Sequence, residues 1–509
     1  MKWNGRTTTR RGFLKAAAAG AAFLASSKVR GDIPIRPNTI FIMCDDLGYG
    51  DVGFNGNRTI RTPHLDQMRR EGACFTRFHT GGPVCSPTRG TCMTGRHYMR
   101  YGIGHANEGA LPRQEITLAE IARQCGYRTG HFGKWHLGTL SKTEKDSNRG
   151  GPSSERLYSP PWEHGFDVCF STEAKVPTWD PAKKPAEGAN LWGEPGTPWP
   201  ASYWNERGER VQDNLDGDDS RVIMDRVEPF VRAAARAGEP FLAVVWFHTP
   251  HAPVVAGPQY RAMYADVPEP KRHYFGCISA MDEQVGRLND LLGELEIDQD
   301  TAVWFCSDNG PEGSGDGSLG SRNHGSTGGL RGRKRSLYNG GITVPALVKW
   351  PRLVNPGEEF GMPCSTLDYL PTLAEILEFK MPDSRPIDGV SLMPLLAGRD
   401  AQRPAPIPFR YLDRKDNMFG SPTFAMIDNR YKLLTNLSGN PSEDECYDMT
   451  SDPFEQLNII TDQREFAETM RNRLDEFIDS CRRSHTGSDY PEPYAPLDPF
   501  QEPIGAWMK

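Results

Sequence analysis

Two sets of residues in this chain have the types and spacing to do chemistry. The first is a set of hard oxygen donors. The apolar run Asn38 to Cys44 ends in Asp45-Asp46, and the run Thr301 to Ser307 ends in Asp308-Asn309. Adjacent carboxylates at a strand end repel each other unless a cation sits between them. Donors that are all oxygen favour Ca²⁺, or Mg²⁺, over zinc. Taken singly, Asp45-Asp46 would be solvated loop acids or a helix cap, and Asp-Asn-Gly is a common turn. The second set is cations and acid–base groups in rigid turns. Lys134 and His136 stand two apart in the Gly-bounded Gly133–Gly138, and His248 and His251 in His-Thr-Pro-His-Ala-Pro. Lys334 lies in Leu-Arg-Gly-Arg-Lys-Arg, which by default would be a solvated basic patch. Between the two sets stands Pro83-Val-Cys85-Ser-Pro87-Thr-Arg89-Gly90. A lone Cys-x-Pro is more often a buried or disulfide cysteine beside a turn. Here a helix starting just after Cys85, with Pro87 in its first turn, would turn its amides toward an anion, with Arg89 one turn on.

The elements that must position these residues are legible in outline. Asn38–Cys44, Tyr127–His131, Pro240–Phe247 and Thr301–Ser307 read as buried strands, the first an unbroken apolar run of the kind found in parallel sheets. Helices are expected at Thr62–Gly72, at Thr117–Arg123 behind a Thr117/Glu120 capping box, and at Ser220–Ala237, Tyr274–Leu295 and Thr366–Phe379. Strand ends in open α/β sheets are where ligands collect. Residues 141–218 are rich in Pro, Gly and Trp without periodicity and read as a long loop, whose tryptophans would either stack on sugars or fill a local core. Beyond about residue 400 the texture changes to antiparallel strands at Phe409–Leu412, Thr423–Asp428 and Tyr431–Thr435, with a closing helix at Arg464–Cys481.

The stretch around Cys85, with its continuation Thr91-Cys-Met-Thr-Gly-Arg-His97, resembles the signature of the type I sulfatases, whose cysteine is oxidised to formylglycine. Asp45-Asp46 before Gly48-Tyr49-Gly50-Asp51 resembles that family's metal-binding start, and Gly133–Gly138 its second motif. The segment around Lys334 with Gly340-Gly341-Ile-Thr-Val-Pro345, and Tyr447-Asp448 with Asp452-Pro453 and Glu455, also follow the family pattern. The resemblance implies an alkaline-phosphatase-like α/β sandwich: a large mixed sheet flanked by helices over residues 36–400, and a smaller C-terminal α+β subdomain with an antiparallel sheet over 401–509. It implies a sulfate-ester hydrolase with Cys85, Arg89, Lys134, His136, His251 and Lys334 catalytic. Asp45, Asp46, Asp308, Asn309 and the hydroxyl derived from Cys85 would hold the cation, and His248, His105 and His324 are candidate substrate contacts. His248 is equally readable as a buried structural residue. The stretch His251–Ala256 is similar to that of N-acetylgalactosamine-6-sulfatases, so the expected substrate is a sulfated saccharide. The rivals are a phosphodiesterase or phosphonate monoester hydrolase sharing the Cys-x-Pro-x-Arg nucleophile, and a non-catalytic glycan-binding protein.

Bulk properties narrow the field. The chain has 509 residues, a formal net charge of −7 and no long run of one sign, which argues against nucleic acid as a partner. Its 11 cysteines are scattered, odd in number and too sparse for a disulfide scaffold, though one or two bridges would be compatible with them. Thr9-Arg10-Arg11-Gly-Phe-Leu-Lys15 followed by the apolar Ala16–Ala25 reads as a twin-arginine export signal within residues 1–31. The expected partners are therefore the twin-arginine machinery and a formylglycine-generating enzyme acting before export, and the expected location is periplasmic or extracellular, with membrane retention left open.

Overall fold

A run with no polar face must be covered on both sides, and Asn38–Cys44 (β1) is: Ile40 and Ile42 enter one hydrophobic core, Phe41 and Met43 the other. The computed structural model describes residues 36–186, 193–313, 322–399, 402–411, 419–438 and 440–490. After β1 the elements used below are α1 (Pro63–Glu71), β2 (Ala73–Phe75), α2 (Cys85–Thr94), α3 (Leu118–Gln124), β3 (Arg128–Lys134), β4 (Val168–Thr172) and β5 (Tyr203–Asn205). There follow α4 (Asp219–Ala237), β6 (Phe241–Trp246), α5 (Glu269–Glu294), β7 (Thr301–Ser307), β8 (Leu347–Lys349), β9 (Glu358–Phe360) and α6 (Tyr369–Ile376). The last are β10 (Ile407–Arg410), β11 (Phe424–Ile427), β12 (Tyr431–Thr435), β13 (Glu445–Asp448) and α7 (Arg464–His485).

Among the described residues nine strands form the main sheet, in the order β9-β2-β8-β7-β1-β6-β3-β4-β5. The five strands β7, β1, β6, β3 and β4 are mutually parallel, and β8 and β5 pair antiparallel. Helices α2, α3 and α6 cover one face, and α1, α4 and α5 the other. The register aligns the functional strand ends. Cys44 lies beside Ser307, while Met43 and Gly133 both lie beside Trp246. The loops carrying Asp45, Asp308, His251 and Lys134 thus leave the sheet at one level along its carboxyl edge.

Sequence and structure differ in three places. Residues 141–218 are not only loop, because β4 and β5 inside them extend the main sheet. These strands are short, and pairing with β3 rather than local pattern makes them strands. Trp199 and Trp204 are buried, and Trp162 and Trp179 pack half-buried against the cores, so these four fill local core; Trp192 lies outside the described residues. The residues leading to the Cys85 loop, which the pattern of Phe75–His79 would make one short strand, form two separate ones, Ala73–Phe75 and Phe78–His79. Cys446–Asp448 joins a fourth antiparallel strand, β13. The small sheet β10–β13 sits between α7 on one face and Val84, Leu337, Tyr338 and Ile342 on the other. It thereby buttresses both the segment before Cys85 and the one after Lys334. All eleven cysteines are free thiols. No helix of the described residues is long and apolar enough to cross a membrane.

Asp218 caps α4, its Oδ1 accepting from Arg221 N at 3.0 Å while Oδ2 is buried without a hydrogen-bond partner. Burial, with Asp219 adding, pushes its carboxyl up to about 8. The folded state then keeps a proton that the unfolded chain releases near pH 4, so stability falls as pH rises through that window. Asp218→Asn keeps the cap oxygen and removes the titration. Its melting temperature relative to the parent is expected to climb steadily from pH 5 to pH 8; a pH-independent difference contradicts the reading.

Candidate active site

The two acidic strand ends meet. Asp46, in a left-handed conformation at φ 69°, donates its backbone N–H to Asp308 Oδ1 at 3.1 Å, and its Oδ1 accepts from Asn309 Nδ2 at 2.7 Å. One ligand atom each from Asp45, Asp46, Cys85 and Asp308 lies within 4.8 Å of the others, and Asp45, Cys85 and His251 form a second such group. The donor set suits a cation. Three carboxylates converge, all fully buried, and Asn309 Oδ1 is buried with no hydrogen-bond partner in the protein. An orphaned carbonyl oxygen in such a place is explained by a bound ion. The cluster is therefore a possible acidic metal site.

Cations surround the acids. Lys134 Nζ bonds Asp45 Oδ2 at 2.6 Å, Arg322 Nη1 bonds Asp46 Oδ2 at 2.7 Å, and Lys334 Nζ pairs with Asp46 Oδ1. Arg89 is wholly buried, held by Asp308 Oδ2 at 2.8 Å, by Lys134 O at 3.0 Å and by the face of Trp246. Against the burial that would raise it, Lys334 and Arg322 hold the Asp46 carboxyl well below the usual carboxylate range. Burial, then the Asp45 charge, pushes Asp308 up to about 6, with Arg89 opposing.

Cys85 is the first residue of α2, not the residue before it, and its Sγ lies 3.2 Å from Lys334 Nζ and 3.4 Å from Asp45 Oδ1. Burial, then Asp308 and Asp45, pushes the thiol up to about 12. Left as a cysteine it would be a protonated, poor nucleophile at neutral pH. His251 donates from Nδ1 to Ala252 O at 2.8 Å, so its Nε2 is the accepting nitrogen, and it meets Arg322 Nη1. His136, in a left-handed conformation, shares Nε2 with Asn107 Oδ1 at 2.9 Å, while Nδ1 is buried without a partner. Burial, then neighbouring cations, holds both imidazoles neutral, well below the usual histidine value: Arg322 acts on His251, Lys134 and Arg149 on His136.

The structure thus brings Cys85, Arg89, Lys134, His251, Lys334 and the four oxygen donors into one cluster, with His136 beside Lys134. His248 is placed elsewhere. Its Nδ1 meets Asp219 Oδ2 and its Nε2 meets Thr172 Oγ1, both at 2.8 Å, so both ring nitrogens are spent on holding β4, β6 and α4 together. His105 stacks on Tyr411, and His324 packs edge-on against Tyr274. Of the arginines beside Lys334, Arg331 lies over the Tyr338 ring and bonds Tyr447, and Arg333 bonds the carbonyls of Glu312 and Gly325. Both arginines thus brace the fold around the Lys334 segment. Sequence reasoning missed Arg322, Glu312, Asn107 and Lys175. Burial, then Arg322, Lys134 and Lys334, pushes the Lys175 ammonium down to about 8. All four sit on loops without periodicity, where no local pattern marks them.

Comparison with known proteins agrees with this geometry. The Sulfatase family model matches residues 37–379, and a model described as N-sulphoglucosamine sulphohydrolase, C-terminal, matches residues 332–482. The chain is 33% identical to mouse steryl-sulfatase over 454 residues, covering 77% of this chain and 69% of the relative. It is 30% identical to bovine arylsulfatase A over 475 residues, 85% of each chain. The crystal structure of Ps i-CgsB superposes with a TM-score of 0.72 at 24% identity, over 87% of this chain and 92% of that one. BT4656, solved with D-glucosamine-2-N,6-O-disulfate, superposes with a TM-score of 0.63 at 17% identity, over 88% and 98%. With the family model spanning the main sheet and every strand end that feeds the cluster, the chain belongs to the sulfatase family, as a hydrolase of sulfuric esters.

Proposed function

We propose that this sulfatase acts on sulfated carbohydrate, with Cys85 matured to formylglycine and with Ca²⁺, or Mg²⁺ in its place, held by Asp45, Asp46, Asp308 and Asn309. The observation that carries the reading is the setting of Cys85: a protonated thiol at a helix start, between Lys334 and Asp45 at the edge of an oxygen-donor cluster. The hydrated aldehyde would supply an oxygen nucleophile for sulfur and a second hydroxyl to release sulfate. The cation would polarise a sulfate oxygen as a Lewis acid. Lys334 and Lys134 offset negative charge growing on the sulfate, each such donor being worth roughly 3 kcal/mol in a preorganised site. Arg89 adds charge and fixes Asp308 against the end of β3. His251 turns its unprotonated Nε2 to the leaving-group side, the Lys334 ammonium supplies the proton that the leaving alcohol needs, and His136 takes a proton at the buried Nδ1 that has no protein partner. The saccharide assignment rests on neighbours of the same fold, Ps i-CgsB solved with a neocarrahexaose and BT4656 with a disulfated glucosamine.

Maturation would require a formylglycine-generating enzyme, and residues 1–31, outside the described residues, would send the folded protein through the twin-arginine route to the periplasm or beyond. Arg10-Arg11→Lys-Lys should then strand it in the cytoplasmic fraction. The mass of the peptide over Cys85 tests the core of the reading: an aldehyde is expected, and an unmodified thiol in active protein refutes it. Chelation should abolish hydrolysis of a nitrophenyl sulfate, and Ca²⁺ should restore it better than Zn²⁺. A protein that prefers a phosphate diester is not the enzyme proposed.

A further inference from the structure

Side-chain exposure orders the basic side chains of the site by depth. Arg89 is 0% exposed, Lys134 1%, Lys334 3%, His251 8% and Arg322 17%. Arg89 thus lies at the floor of the site and Arg322 at its mouth, beside the histidine that faces the leaving alcohol. A substrate placed with its sulfate on Lys134 and Lys334 directs the rest of the molecule toward Arg322.

Arg322 is fixed there by more than Asp46. Its Nη2 pairs with Glu312 Oε2 at 2.6 Å, and Glu312 also pairs with Arg335. Contacts with Asp46, His251 and Glu312 do not exhaust the five N–H donors of a guanidinium. The ion pairs form two groups that meet at Cys85 Sγ, which touches Lys334 Nζ and Asp45 Oδ1. Among the described residues, Asp45 and Asp308 are tied to Arg89 and Lys134, and Asp46 and Glu312 to Lys334, Arg322 and Arg335, four acids against five cations. A divalent cation adds two positive charges, and a single sulfate ester takes back one. Lys175 lies in the same field. A desolvated site with this much excess positive charge is matched by a substrate carrying more than one negative charge.

We infer that Arg322, oriented by Glu312, is a specificity residue that binds a second anionic group, sulfate or carboxylate, on the leaving-group side of the substrate. The inference rests on the sulfate-ester reading above and deepens it. A planar fork suits either oxyanion, and Lys would bind it less well.

The test uses three aryl esters as surrogates: a monosulfate, a disulfate, and a monosulfate bearing a carboxylate beside the ester. The mature parent is expected to favour at least one doubly charged ester by roughly tenfold or more in kcat/KM, and the favoured ester tells which group is read. Arg322→Gln should erase that preference, chiefly through KM, with Arg322→Lys keeping part of it and Glu312→Gln falling between. Variants are compared only where their melting matches the parent, and Arg322→Lys serves if Arg322→Gln does not fold. A parent without preference for either doubly charged ester overturns the inference and leaves the sulfatase reading standing. So does an equal loss on all three esters in Arg322→Gln. A parent that hydrolyses none of the three overturns the catalytic reading together with the inference.

Discussion

Cys85→Ala is expected to lose on the order of 10⁴-fold or more in kcat/KM for any sulfate ester while melting within a few degrees of the parent. Two features separate the chemistry from the fold. The side chain is small and buried, so its removal deletes one sulfur atom from a packed helix start. No charge is orphaned either: Lys334 keeps Asp46, and Asp45 keeps Lys134. A residual activity above about one part in a hundred would mean that the attacking group lies elsewhere, since removing a true nucleophile costs far more than that. A large fall in melting temperature would mean that Cys85 holds the helix start together, and the activity loss could then not be assigned to chemistry. Thermal melts and sulfate release on the same preparation decide between these outcomes.

What the sequence could reveal follows from how local each signal is. Of the four strands bearing the site, β1, β6 and β7 were legible because they are covered on both faces and read as apolar runs of six or seven residues. The acidic cluster was legible for the same reason, since two strand ends carry all its oxygen donors. The edge strands β4 and β5 were not, because they are strands only by virtue of their neighbours. His248 and His251 share one turn and one local pattern, and what separates them lies 29 and 76 residues away in Asp219 and Thr172. Arg322 is the clearest case. It reaches Asp46 across 276 residues from a Gly- and Ser-rich loop, and nothing in that loop distinguishes it from a solvated arginine.

Lys432→Met is expected to destabilise the protein by about 3–5 kcal/mol, the usual consequence of breaking one side of a buried ion pair. Lys432 and Glu455 are both 0% exposed, paired at 2.6 Å, with Lys432 Nζ also on Asn339 Oδ1 at 2.9 Å. Glu455 Oε2 in turn accepts from Asn339 N at 2.7 Å. The pair thus ties β12 of the small sheet to the turn that follows Lys334. Burial already pushes the Glu455 carboxyl up, with Lys432 opposing. Without the ammonium nothing of comparable strength remains to offset it, and Glu455 folds more readily protonated. The sign then follows. A carboxyl whose folded pKa exceeds its unfolded value penalises the fold above that unfolded value, and the penalty shrinks as pH falls. The deficit of Lys432→Met in chemical denaturation should therefore be largest near pH 8 and smaller at pH 5. Replacing both partners, as Lys432→Met with Glu455→Leu, should recover most of the loss, because no charge is left buried alone. Activity adds an independent check. If the pair also fixes the Lys334 segment, Lys432→Met should lower kcat/KM at temperatures well below its melting point. A variant that is fully active there would confine the pair to holding the small sheet in place.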